Sequence, residues 1–150
     1  MKRLNHNARV LVTDGGRAIV FRNEGQVGKP SLVQFKVYAN DNPPTRDQGT
    51  DRQPQSSTLG GHRSSAEGTD YHQQSEDRFI ERIAADMDAD LKAGEFEELI
   101  VVAPPVALGA YRKAASPKVQ QATLMEINKD LTKHAAGDVA AIVVKALEGD

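Results

Sequence analysis

The 150-residue chain carries 19 Lys and Arg against 21 Asp and Glu, a formal net charge of -2, and it contains no cysteine. That length predicts one domain able to bury roughly two thirds of its unfolded surface. The near-neutral balance argues against a dedicated nucleic-acid binder, which shows a basic excess or stripe, and the lack of thiols excludes a disulfide framework or a thiolate metal site.

Read in order, the chain opens with Met1-Lys2-Arg3, but Leu4-Asn5-His6-Asn7 supplies no apolar core for a secretion signal. No segment approaches the ~18 apolar residues that would span a membrane. The expected compartment is the cytoplasm. Ala8 to Phe21 reads as a hairpin, its strands Val10-Leu11-Val12 and Ala18-Ile19-Val20-Phe21 joined by Asp14-Gly15-Gly16. A second turn in Asn23-Glu24-Gly25-Gln26 leads to Leu32–Tyr38, where Val33, Phe35 and Val37 alternate with polar residues and are expected on one core-facing side.

From Asn40 to Ser75 apolar residues are nearly absent, so residues 40–75 are expected to be a mobile polar loop. Ser75 is expected to cap a helix whose Phe79, Ile80, Ile83, Ala84, Met87 and Leu91 share a face, with Gly94 ending it. Leu99-Ile100-Val101-Val102-Ala103 is an unbroken apolar run, the signature of a strand buried on both faces. Pro104-Pro105 stops it, and Val106 to Ala115 reads as the next helix, closed by Ser116-Pro117. A strand around Ala122–Ile127, a polar connection over Asn128–Gly137 and a final helix capped by Asp138 complete the chain.

The order β-β-β-α-β-α-β-α makes a single α/β domain over residues 1–150, its five-stranded sheet antiparallel in the first half and parallel in the second. With right-handed crossovers this is a ribonuclease H-like topology of strand order 3-2-1-4-5, with helices on both faces and a long polar loop.

Several motifs together resemble a known family. They are Val10-Leu11-Val12-Thr13-Asp14-Gly15-Gly16-Arg17-Ala18, Asn42-Pro43-Pro44-Thr45-Arg46-Asp47-Gln48-Gly49-Thr50-Asp51-Arg52, Val101-Val102-Ala103-Pro104-Pro105 before Leu108-Gly109, and Glu126-Ile127-Asn128-Lys129-Asp130-Leu131-Thr132. Along nearly its whole length the chain resembles the bacterial family called "protein required for attachment to host cells", itself distantly similar to a domain of archaeal and eukaryotic peptide-release factors. After Arg52 it reads Gln53-Pro54-Gln55 where that family usually has Pro-Gly-Arg, which removes a basic residue. The resemblance implies a ribonuclease H-like sheet and carries over no catalytic residue.

Candidate binding residues are Asp14, Arg17, Arg46, Asp51, Arg52, His62, Arg63, Lys129 and Lys133. Asp14 stands where ribonuclease H-like nucleases hold a first-strand carboxylate, but two-metal chemistry needs several converging acids. Its companion strand ends in Ala103-Pro104-Pro105, so Asp14 reads as a plain turn aspartate ahead of a metal-binding one. Arg46, Arg52, His62 and Arg63 form a recruitable contact surface or, with Asp47 and Asp51, a solvated linker. Lys129, Lys133 and His134 follow the last strand as a solvated turn or an RNA-phosphate contact. His6, His62, His72 and His134 show no metal-ligand spacing and no glutamate one turn away, so no metal or cofactor is expected. Gly109 inside a helix costs about 1 kcal/mol against alanine and is expected to pack closely on the sheet, a partner surface being the alternative.

The function the resemblance implies is a non-enzymatic cytoplasmic binding module with an indirect effect on attachment to host cells. The alternative is a ribosome- or RNA-associated factor, and a metal-dependent nuclease or phosphohydrolase is disfavoured. The partner is an unknown protein, or the ribosome or RNA.

Overall fold

The computed structural model describes residues 3–40 and 71–149. Their elements are β1 (Arg9–Thr13), β2 (Arg17–Asn23), β3 (Leu32–Ala39), α1 (71–92), β4 (Leu99–Val102), α2 (Pro105–Ala114), α3 (Pro117–Ala122), β5 (Thr123–Ile127) and α4 (Ala136–Glu148). They build one five-stranded sheet of order β3-β2-β1-β4-β5. β2 pairs antiparallel with β1 and β3, while β4 runs parallel to β1 and β5. This is the mixed sheet and strand order expected from the sequence.

Alternation along the strands sends side chains into two separate cores. Leu11, Val20, Leu99 and Val101 pack under α1, α2 and α3, meeting Phe79, Ile83, Met87, Leu108, Tyr111 and Val119. Val10, Val12, Phe21, Ile100 and Val102 face the other way, onto Val139, Val143 and Leu147 of α4 and onto Leu4 near the amino end. All four β4 residues are fully buried, as a strand covered by helices on both sides requires.

Local chemistry shifts several boundaries. Ser75 does not cap α1; the chain is already helical at 71, and the Ser75 hydroxyl instead accepts from Asn40 Nδ2 at 3.1 Å. Of the residues 40–75 expected to form a mobile loop, 71–75 are helical, and 41–70 lie outside the described residues. Ser116-Pro117 does not merely end α2. The Ser116 hydroxyl accepts from Val119 N at 3.2 Å and starts the six-residue α3, with proline at a first-turn position that needs no N–H. Asp138 sits in the first turn of α4, where the helix dipole favours an acid, while Ala135 takes the cap position.

β3 departs most from expectation. Lys36 pairs with Val20 but Gln34 pairs with Phe21, so Phe35 is an extra residue, a β-bulge. The bulge breaks the period-2 alternation. Val37 therefore lies opposite Ile19 on the α4 side, whereas Phe35 packs against the α1 core. Val33 and Val37 remain 40% and 59% exposed, not core-facing, and Leu32 is the residue of β3 that is buried.

Gly109 is a second correction. A Cβ built there would meet nothing within 4 Å, so the glycine is not required by close packing on the sheet. Gly109→Ala is expected to stabilise the fold by about 0.5–1 kcal/mol through helix propensity alone. Urea unfolding checks this; a loss of stability would show that the position is sterically constrained after all.

Candidate functional site

The carboxyl ends of the parallel strands β1, β4 and β5 meet at one edge of the sheet. That edge is where open α/β sheets place ligands. Each strand contributes a turn built by its own residues.

After β1, Asp14 Oδ1 accepts from Gly16 N and Arg17 N, both at 2.9 Å. Gly15 takes φ +93°, a conformation that strains residues with a side chain. Thr13 steadies the same turn, its hydroxyl donating to Arg17 O at 2.9 Å. After β4, Ala103 N donates to Ile127 O at 3.0 Å, and Pro104-Pro105 turns directly into α2. After β5, the loop is pinned by buried Leu131, which joins the α4 core, and by Thr132, which is 2% exposed.

Thr132 links the first turn to the last. Its hydroxyl lies 2.7 Å from Asp130 Oδ1 and 3.3 Å from Asp14 Oδ2. A hydroxyl has one proton, so the shorter bond to Asp130 takes it and the Asp14 contact is the weaker share. The Thr132 hydroxyl, its backbone N–H at 3.1 Å, and nearby Lys133 and His134 hold the Asp130 carboxyl below the usual carboxylate range.

This geometry places Asp14, Arg17, Lys129 and Lys133 on the same edge. Asp14 is committed to its turn. Arg17, Lys129 and Lys133 are exposed, and among the described residues none of them forms an ion pair. Arg46, Asp51, Arg52, His62 and Arg63 lie outside the described residues.

Three contributors are not among the candidates named from the sequence. Thr132 and Asp130 stand in the Glu126–Thr132 motif, which gives them no role of their own. The third is Glu76, whose carboxyl lies so near Gly15 that a Cβ there would approach it to 3.3 Å. His72 does have a glutamate one turn away, contrary to expectation, with its Nε2 at 3.6 Å from Glu76 Oε2. Each acid at the edge thus has its own neighbour. Among the described residues no three His, Asp or Glu side chains are grouped to hold a metal ion, and no helix is long and apolar enough to cross a membrane.

Residues 7–143 match the family described as Bacterial archaeo-eukaryotic release factor family 12. No curated protein matches the chain. Among solved structures, the crystal structure of the archaeal translation termination factor aRF1 is similar, with a TM-score of 0.48 and 11% identity. That similarity covers 95% of this chain and 39% of the aRF1 chain, so the protein spans about two fifths of that structure's length.

Proposed function

The chain belongs to the bacterial archaeo-eukaryotic release factor family 12, and from that premise we propose that it is a ribosome- or RNA-associated factor acting as a binding module. The observation that carries this reading is the set of cations at this edge: Arg17, Lys129 and Lys133, exposed and in no ion pair among the described residues, on turns held by Asp14, Asp130 and Thr132. Phosphate contacts need cations of this kind, held on fixed backbone but not already neutralised. A chain with a net charge of -2 gains little from its overall field, so a local cluster has to supply the attraction.

On its strand order and connectivity we read the sheet as ribonuclease H-like. The attachment label implied by the sequence resemblance draws no support from the family match, which points to release factors. An effect on host attachment would follow indirectly, through the ribosome or RNA partner.

Sedimentation with ribosomes tests the proposal. The wild-type protein is expected to co-sediment. Its association should fall with salt at a slope of roughly -2 in log K against log salt, as about three phosphate contacts on single-stranded RNA predict. The triple variant Arg17→Gln, Lys129→Gln, Lys133→Gln should lose on the order of tenfold or more in affinity and most of the salt slope. Unchanged association of the triple variant, with its fold intact, would overturn the assignment of this edge.

A further inference from the structure

Helices α1 and α2 cover the same face of the sheet without closing against each other along their whole length. Between them runs a groove of about 400 Å³, lined on the α1 side by Gln73, Asp77 and Glu81 and on the α2 side by Val106, Gly109 and Lys113 among others. The α1 residues stand four apart and therefore form one straight row. Apart from Lys113 the α2 side is apolar and open. Val106 is 63% exposed, and no atom comes within 4 Å of the missing Gly109 Cβ.

The two walls differ in charge as well as polarity. Asp77 accepts only from the Gln73 side-chain amide, at 3.0 Å, and Glu81 has no hydrogen bond or ion pair among the described residues. Among the described residues Lys113 is the single cation on the lining. Two carboxylates against one cation leave this lining net negative, so the groove does not suit the nucleic acid proposed for the sheet edge. It is complementary to a basic polypeptide with an apolar side.

We propose that the α1–α2 groove is a docking site for a basic amphipathic segment of a partner protein, its apolar side seated over Val106 and Gly109 and its Lys or Arg residues facing Asp77 and Glu81. The absence of a side chain at 109 keeps the floor open. This is helix-in-groove recognition, with apolar anchors supplying affinity and charge supplying orientation. The site is independent of the cations at the sheet edge and stands or falls separately from the ribosome reading.

The test is selection of short displayed peptides on the full-length wild-type protein at low salt, followed by fluorescence-anisotropy titration of the recovered peptides. Peptides with Lys or Arg beside apolar residues at helical spacing are expected. Their affinity should fall on the order of tenfold or more against Gly109→Leu, which fills the floor, and against Glu81→Lys, which reverses the wall. Added salt should weaken wild-type binding. Glu81 is exposed, so its variant keeps the test valid even if Gly109→Leu misfolds. Recovery of no such peptides, of peptides without basic residues, or of peptides that bind both variants as well as wild type would overturn the proposal. So would self-association of the wild type abolished by Gly109→Leu, which would make a second copy the occupant.

Discussion

Phe96→Ala is expected to remove about 3–5 kcal/mol of stability, the usual cost of truncating a buried aromatic. The ring is 1% exposed, packs in the core beneath α1 and α2, and lies 5.6 Å from the guanidinium of Arg9. Arg9 is itself 2% exposed and has no carboxylate partner among the described residues. It donates to Asn7 O at 2.7 Å, to Asn7 Oδ1 at 2.9 Å and to Glu95 O at 3.2 Å, with Phe35 stacked at 4.7 Å. Burial, with Arg22 nearby, lowers its pKa from the ordinary arginine value. Loss of Phe96 therefore opens a cavity and also removes one aromatic face from a buried cation. Phe96→Leu, which keeps most of the volume, should cost far less, about 1.5 kcal/mol or below. Urea unfolding of the two variants checks the pair; similar losses from both would show that ring contact with Arg9, and not core volume, dominates.

Asn23→Leu is expected to cost about 2–5 kcal/mol, although it adds apolar volume at a position with no solvent exposure. The Asn23 amide makes four backbone bonds. Nδ2 donates to Asn5 O at 2.9 Å and Leu4 O at 3.4 Å, and Oδ1 accepts from Gly25 N at 3.0 Å and Ser31 N at 2.9 Å. One side chain thus ties the segment before β1 to both ends of the β2–β3 turn. Leucine would leave Leu4 O, Gly25 N and Ser31 N without this partner, while Asn5 O keeps its bond from Ala8 N at 3.2 Å; an unsatisfied group costs more than a made bond contributes. Calorimetry should show a lower melting temperature, and amide exchange should rise first at Gly25 and Ser31. A melting temperature within a degree of wild type would mean that water replaces the amide.

Neither residue announces its role in the sequence. Asn23 reads as one of several turn residues, and its partners at Leu4 and Ser31 are set by folding. By contrast β4 was legible outright, because Leu99 to Ala103 admits no polar face, and the α1 stripe from Phe79 to Met87 showed the helical period without ambiguity. β3 misled because its alternation is regular along the chain; the bulge at Phe35 exists only in the register against β2. α3 was missed because Ser116-Pro117 stops one helix and starts another with the same two residues. At the candidate edge, Asp14, Arg17, Lys129 and Lys133 were named from type and position. The Thr132–Asp14 contact joins residues 118 apart, a separation that no local pattern encodes.

The bulge also governs how this sheet meets other chains. Among the described residues β3 is the last strand on its side, and an edge strand offers unpaired N–H and C=O groups to any extended segment that arrives. With Val33 and Val37 on the surface, a regular edge would be an adhesive one. The inserted Phe35 puts the halves Leu32–Gln34 and Lys36–Ala39 out of step, so an incoming straight strand can follow one half or the other but not both. The charge of Lys36 sits beside the break, held by Asp90 at 2.7 Å. One extra residue in the backbone thereby limits runaway strand addition, alongside the charge that Lys36 brings to the same edge.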